Sequence, residues 1–334
     1  MTVAAADTES IRALAREDLG AVVAIDAALE GRPRRAYVER RLAAALREPA
    51  LHAQFAACDG GGRVVGHILA RVLEGEFGRS EPVLRLEMVG LASEARGHGT
   101  GQRLFDALAA WAARHGIGEL RTTASWRDAS LLHWLDGMGF QLAPAVIVDC
   151  AVEDGPQPEE TEGDVALPAA GELDFGSPEG NDFERRGRGG AEVRTMNAAD
   201  LREIVRIDRS ITGRDRSRYI EGRLKEAMDD AAIRVSLTAR LDGAIVGYLM
   251  ARSDLGDFGR TAPVAVIDTL GVDSGYTRHG VGRAMLAQLF AHLGALQVER
   301  VETVLPLSDL PMLGFFADAG FAPAQRLPFV RRLR

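Results

Sequence analysis

Two acidic residues interrupt apolar stretches that lead straight into glycine loops: Glu87 in Leu86-Glu87-Met88-Val89, and Asp268 in Ile267-Asp268-Thr269-Leu270. Apolar surroundings raise the pKa of a carboxyl group, which makes it a better general base near neutral pH. The loops that follow read Arg96-Gly97-His98-Gly99-Thr100-Gly101 and Thr277-Arg278-His279-Gly280-Val281-Gly282, and each opens a helical run. A strand, a turn with alternating glycines and then a helix is an anion-binding arrangement. The free N–H groups of the helix start point outward, the helix dipole favours negative charge, and glycine lets the backbone approach a phosphate closely. Neither loop is a P-loop, because no Gly-Lys-Ser/Thr follows. Neither is a dinucleotide fingerprint, because no acid closes a second strand about 20 residues on.

The two loops are parts of one duplicated unit. At offsets of 181 and 182 residues, Gly31-Arg32, Arg34, Tyr37, Glu39 and Arg41-Leu42 recur as Gly213-Arg214, Arg216, Tyr219, Glu221 and Arg223-Leu224. Phe77-Gly78-Arg79 recurs as Phe258-Gly259-Arg260, and Gly139-Phe140 as Gly320-Phe321. A period this long excludes a solenoid, whose units run about 20–50 residues. It divides the chain into copy one at 10–152, an acidic linker at 153–191 and copy two at 192–334.

The elements that position the loops are readable in copy one. Ile11 to Leu14 is a short strand, and Leu19, Val22, Val23 and Ile25 give Glu17 to Leu29 a helical apolar face. A second helix spans Arg35 to Arg47 after the Gly31–Pro33 break. Strands follow at His52–Cys58, Val64–Val72 and Val83–Ala92. Beyond the loop, Leu104, Phe105, Leu108 and Trp111 mark the buried stripe of an amphipathic helix. Leu120–Ala124 is a strand, Ser130–Met138 a short helix and Phe140–Val152 a final extended region. Copy two repeats the order. The fold class is α/β, a mixed sheet flanked by helices in each copy.

The net charge of -8 sits in one place: residues 151–191 hold 11 acids against 3 Arg, and acids and bases balance elsewhere. The linker reads as a flexible tether, and neither copy is basic enough for nucleic acid. No apolar stretch approaches the ~20 residues of a membrane span. Residues 1–9 lack the pattern of a signal peptide. The two cysteines, Cys58 and Cys150, have no counterparts in copy two and suit a reducing, cytoplasmic setting.

Arg96-x-x-Gly99-x-Gly101 after a strand, closed about 30 residues later by a helix from Asp128 to Gly139-Phe140, resembles the GNAT superfamily of acetyl-CoA-dependent N-acyltransferases. The likeness covers both halves. In copy two the leading Arg of the signature is Thr277, with Arg278 beside it. The resemblance implies two tandem GNAT-like domains forming an internal pseudo-dimer, as a monomer or a homodimer. It implies acetyl-CoA or another acyl-CoA as co-substrate and no metal. The loop Arg96, Gly97, His98, Gly99, Thr100, Gly101 would cradle the pyrophosphate, and Met88, Val89 and Leu91 would pair with the pantetheine amides. In copy two those places fall to Thr277, Arg278, His279, Gly280, Val281 and Gly282, and to Thr269, Leu270 and Val272. Glu87 and Asp268 would be the general bases. The family's leaving-group Tyr is replaced by Leu135 and Phe316, neither of which donates a proton. Tyr37/Tyr219 and the Phe-Gly-Arg triplets would line the acceptor wall or pack the scaffold. Apart from the resemblance, Asp26/Asp208 and Glu76/Asp257 would either favour a cationic acceptor or be plain solvated surface acids.

The resulting expectation is acetyl or short acyl transfer to a primary amine of a small molecule or peptide, by direct attack in a ternary complex. Two other readings stay open: an acyl-CoA-binding sensor or scaffold without turnover, which the absent Tyr favours, and transfer from a non-acetyl donor.

Overall fold

The computed structural model describes residues 9–73, 81–157, 191–229, 234–254 and 264–333. The Phe-Gly-Arg triplets, Glu76, Asp257 and most of the linker lie outside them. Copy one runs β1 (Ser10–Ala13), α1 (Leu19–Glu30), α2 (Arg35–Arg47), β2 (His52–Cys58), β3 (Val64–Leu73), β4 (Val83–Leu91), α3 (Thr100–Arg114), β5 (Glu119–Ser125), α4 (Ala129–Gly137), β6 (Gln141–Leu142) and β7 (Ala145–Ala151). Copy two repeats it as β8 (Glu192–Thr195), α5 (Leu201–Thr212), α6 (Ser217–Asp229), β9 (Arg234–Leu241), β10 (Ala244–Asp254), β11 (Val264–Val272), α7 (Val281–Ala295), β12 (Arg300–Pro306), α8 (Leu310–Asp318), β13 (Ala322–Pro323) and β14 (Arg326–Arg332).

The strands form two seven-stranded sheets, β1-β2-β3-β4-β5-β14-β6 and β13-β7-β12-β11-β10-β9-β8. Each copy therefore lends its last long strand to the other. β14 lies antiparallel on β5, and β7 lies antiparallel on β12. The chain changes sheet at Ala143-Pro144: β6 still pairs with β14, and the next strand already belongs to copy two. The two halves are thus joined by hydrogen-bonded strands as well as by the linker.

Each sheet buries a core on both faces. The predicted stripe of α3, Leu104, Phe105, Leu108 and Trp111, packs on Leu84, Leu86 and Leu120. On the opposite face Val22 and Val23 of α1 and Val38 and Leu42 of α2 cover Ala56, Leu69 and Met88. Copy two is built likewise, with Met285, Leu286 and Leu289 of α7 on Ala265, Ile267 and Val301. α1 stops at Gly31, whose φ of 75° is the left-handed C-cap conformation that glycine adopts without strain. Cys58 and Cys150 are both buried, the first in copy one's sheet and the second in copy two's.

Candidate active site

β4 and β5 are parallel but separate early. They pair at Leu84 with Leu120 and Arg85 with Arg121. Just beyond, the Thr122 hydroxyl donates to the Leu86 carbonyl at 3.0 Å, so a side chain takes the place of the next ladder bond. Copy two repeats the device, with the Thr303 hydroxyl donating to Ile267 O at 3.2 Å after three paired positions. The result is a cleft between the C-terminal ends of two parallel strands. Met88, Val89 and Leu91 lie on one of its edges, and Thr269, Leu270 and Val272 lie on the corresponding edge in copy two. The side chains of Met88, Val89 and Leu91 are taken up by the two cores, so these residues face the cleft with backbone.

The glycine loop stands at the cleft's open end. Gly97 and Gly99 adopt φ of 78° and 77°, and Gly99 is the N-cap of α3 with no side-chain cap. The first-turn amides of α3 have no intrahelical acceptor and point past residues that lack a Cβ. A Cβ on Gly97 would meet nothing within 4 Å, so the space over the loop is open. Gly101 has a different reason to be glycine: a Cβ there would lie 2.7 Å from Trp134 Nε1, where α3 packs against α4. Arg96 folds back over the end of β4 with long contacts of 3.4 and 3.5 Å to Leu91 O. Arg103 braces the loop by donating to His98 O at 3.1 Å, and Thr100 is buried and donates to Glu9. In copy two Gly280 is the left-handed N-cap, but Arg278 occupies Gly97's place at φ 65°. That conformation is uncommon for any non-glycine residue. His279 Nδ1 lies 2.8 Å from Thr277 O, so this loop His is tied locally.

Both candidate bases sit on β-bulges. The β3–β4 register passes from Leu69 opposite Met88 to Ala70 opposite Leu86, leaving Glu87 without a partner residue. The β10–β11 register leaves out Asp268 in the same way. A bulge re-aims the extra side chain, and here it turns the acid toward the α1–α2 face. The expectation of apolar surroundings needs correction. Glu87 is 2% exposed but ion-paired to Arg71 at 2.6 Å and Arg41 at 3.3 Å. Asp268 is 1% exposed and paired with Arg252. An acid this deep needs a cation, and β3 and β10 supply one each. Burial pulls the Arg71 guanidinium below its ordinary pKa. Glu87 opposes this, and Arg41 and Arg252 push the same way as burial. Arg252 belongs to the other half, so the two buried ion pairs lie close to one another across the seam.

The acetyltransferase (GNAT) family matches residues 11–140 and again 199–321. The chain belongs to this family. No curated protein sequence matches the chain. Among solved structures, a tandem GNAT protein from the clavulanic acid biosynthesis pathway is 21% identical with a TM-score of 0.63, over 98% of this chain and 99% of that one. A GCN5-related N-acetyltransferase from Sphaerobacter thermophilus is 16% identical with a TM-score of 0.58, over 98% and 96%. The N-myristoyltransferase of Saccharomyces cerevisiae is 12% identical with a TM-score of 0.57, over 100% and 80%. These likenesses concern the fold, and with the family match they make this a tandem GNAT protein of the N-acyltransferase class.

The remaining GNAT positions divide between chemistry and scaffold. Leu135 and Phe316, at the place of the family's Tyr, are 1% and 0% exposed and belong to the cores. Asp128 and Asp309 cap their helices, accepting from the amides of Leu131 and Met312 at 3.0 and 3.2 Å. The repeated Tyr37 is buried with Arg34 and Arg41 over its ring at 5.3 and 5.2 Å, and Tyr219 is held by Arg216 and Arg223 in the same manner. Tyr37 thus packs the helix pair and steers Arg41 to Glu87. Asp26 and Asp208 are buried against Arg34 and Arg216, which pins the α1–α2 and α5–α6 turns. These acids are neutralised internally and do not face a cationic acceptor. Among the described residues no cluster of three metal-ligating side chains occurs, and no helix is long and apolar enough to cross a membrane.

One buried group escaped the sequence reading. His67 is 1% exposed on β3, and a Cβ on Gly90 would lie 2.6 Å from its ring, so Gly90 makes the room. Burial pushes its pKa from the usual 6.5 down to about 4, against a smaller opposing pull from Asp26. In the native state His67 is therefore neutral, while the unfolded chain takes up its proton below about 6.5. Stability rises with pH between about 4 and 6.5, and on acidification the loss from this residue reaches about 3 kcal/mol. Copy two has Tyr248 here, its hydroxyl donating to Asp208 at 2.5 Å. His67→Phe is expected to flatten that part of the pH–stability curve, as measured by urea unfolding at pH 4.5 and 7. A slope unchanged by the substitution would remove His67 as its source.

Proposed function

We propose that this tandem GNAT protein transfers an acetyl or other short acyl group from acyl-CoA to a primary amine by direct attack in a ternary complex, with copy one as the working site. The observation that carries the reading is the combination in copy one of an open Gly97–Gly99 loop, a strand cleft and a bulged acid beside that cleft. Copy-one residues fit acyl-CoA: the loop Arg96 to Gly101 would take the pyrophosphate on backbone amides, and the backbone of Met88, Val89 and Leu91 would take the pantetheine. In copy two the same places are Thr277 to Gly282 and Thr269, Leu270 and Val272, with Arg278 in the left-handed place that Gly97 holds in copy one. Bound acyl-CoA supplies the activated thioester. Glu87, fixed by Arg71 and Arg41, accepts the amine's proton directly or through a water, and Asp268 holds the equivalent position in copy two. Leu135 and Phe316 carry no proton, so the leaving group is not protonated from the family's usual place. That absence favours the second reading, an acyl-CoA-binding protein without turnover.

Calorimetric titration with acetyl-CoA on wild type, Gly99→Glu and Gly280→Glu tests this. Each substitution puts a carboxylate and a Cβ at a left-handed position where the pyrophosphate would lie. Loss of binding with Gly99→Glu and little change with Gly280→Glu is expected. No heat from the wild type would overturn the acyltransferase reading. Tight binding with no release of free CoA thiol across an amine panel would favour the sensor.

A further inference from the structure

α1 ends over the copy-one cleft. A Cβ on Gly90 would lie 3.0 Å from Leu29 Cδ1, so the last turn of α1 rests on β4. Gly90 is three residues past Glu87, roughly 10 Å along the strand. The next residue of α1, Glu30, is half-buried, and among the described residues no hydrogen bond or ion pair reaches its carboxylate. Burial pushes its pKa above the usual carboxylate range. Arg34 opposes that shift, Asp26 and Asp128 add to it, and Arg326 opposes it. Asp128 and Arg326 belong to the far wall of the cleft: Asp128 caps α4 just past β5, and Arg326 opens the exchanged strand β14 opposite Ser125. Both arginines are bonded elsewhere, Arg34 to the two oxygens of Asp26 and Arg326 to Thr123 O and Oγ1 at 3.1 and 3.0 Å. Trp126 stands on the same far wall. It is 58% exposed, yet its indole N–H donates to Gln325 Oε1 at 2.8 Å and its backbone N–H to Gln325 O at 3.4 Å.

The duplication supplies a comparison. The counterparts of Glu30, Trp126, Gln325 and Arg326 are Thr212, Leu307, Pro144 and Ala145, so none of the four is part of the shared scaffold. Thr212 has a structural task, its hydroxyl donating to Asp208 O at 2.8 Å in the last turn of α5. Glu30 costs stability instead. A carboxylate in the last turn faces the negative end of the helix dipole, and one drawn out of water without a cation is penalised further. A ligand that brings a cation removes both penalties, and an uncompensated acid beside a cleft is the pattern of a working group.

We propose that the acceptor of the copy-one site carries a second cationic group beside the amine that is acylated, and that Glu30 holds this group next to the Trp126 ring. The inference rests on the acyl-transfer reading of that site and names its substrate class. A carboxylate gives an ammonium a charge-assisted bond, and an indole face attracts it through the ring quadrupole. With one nitrogen at Glu30, the other end reaches along β4 toward Glu87. The reacting nitrogen forms its bond to the acyl carbon as the C–S bond breaks; CoA leaves as the thiolate and the amine's proton goes to Glu87. The second nitrogen keeps its charge and takes no part.

The test uses the full chain with cadaverine against pentylamine and hexamethylenediamine against hexylamine. Affinity is read by calorimetry with CoA present, and turnover by thiol release from acetyl-CoA. The diamines should bind about tenfold or more tighter than the monoamines, as a bond to a charged group provides. That preference should vanish in Glu30→Gln and in Glu30→Thr, the second placing there the residue found in copy two, and it should weaken in Trp126→Leu. The loss should fall in KM with kcat kept, as for an interaction equal in ground and transition states. Acetyl-CoA affinity should be kept, and the melting temperature of both Glu30 variants should hold or rise, whereas a structural Glu30 would lower it. Acetyl-CoA binding with no diamine preference, or a preference that survives both Glu30 substitutions, would overturn this inference alone. Failure of acetyl-CoA to bind would overturn the acyl-transfer reading and the acceptor role with it, even if diamines still bound through Glu30.

Discussion

Glu87→Gln is expected to lower turnover by about 10²–10⁴-fold, the usual contribution of a positioned general base. The prediction rests on where the bulge puts the side chain. Glu87 is the residue that the β3–β4 register skips, next to the point where β4 and β5 part. Glutamine keeps the shape and one acceptor oxygen but removes the charge that Arg71 and Arg41 face. Loss of one partner from a buried ion pair costs about 3–5 kcal/mol, so the rate must be measured per folded molecule, with unfolding monitored in parallel. Acetyl-CoA affinity should hold, because the loop and the β4 backbone are untouched. Asp268→Asn, in the half whose loop carries Arg278, should change turnover far less. A folded Glu87→Gln protein within about tenfold of wild type would mean that the base lies elsewhere. In that case the Arg71–Glu87 and Arg252–Asp268 pairs are matched structural struts at the seam.

The copy-one elements were legible because their punctuation is local. The Gly31–Pro33 break precedes α2, α2 and β2 span the residues expected, and the Leu104–Trp111 stripe is buried as its spacing implies. The glycine loops stood out because two glycines in copy one and one in copy two need a left-handed backbone. What escaped depends on contacts distant in sequence. Arg71 lies 16 positions before Glu87, and nothing in Val64–Val72 marks its one Arg as the partner of a buried acid. A bulge is a property of two strands, so Leu86-Glu87-Met88 alone cannot show it. His67 reads as one polar residue in a strand until Gly90 is placed opposite its ring. The strand exchange was hidden by the duplication itself. β7 and β14 are copies of each other, and the pattern of either fits the edge of β5 or of β12.

The same exchange predicts that residues 9–157, produced alone, form a homodimer. Without β14 the edge of β5 is bare along seven positions, from Ser125 opposite Arg326 to Glu119 opposite Arg332. β7 pairs with β12 in the equivalent register, from Pro306 opposite Ala145 to Arg300 opposite Ala151, so it can serve β5 in the same way. It cannot do so within its own chain. β6 must keep Leu142 opposite the position that Phe329 fills, which in copy one is Val148. A β7 folded back on its own β6 would spend Ala143 to Ile147 on the turn and lose half its pairing with β5. β7 from a second molecule meets both requirements at once. The drive is substantial, because β7 buries Val148 and Cys150 in its adopted core and a fully buried aliphatic side chain contributes about 1.5–3 kcal/mol. Sedimentation equilibrium should give twice the fragment mass, with the intact chain sedimenting as a monomer. A folded monomeric fragment would show that β7 can close its own sheet, and that the exchange reflects the duplication and not a need of either half.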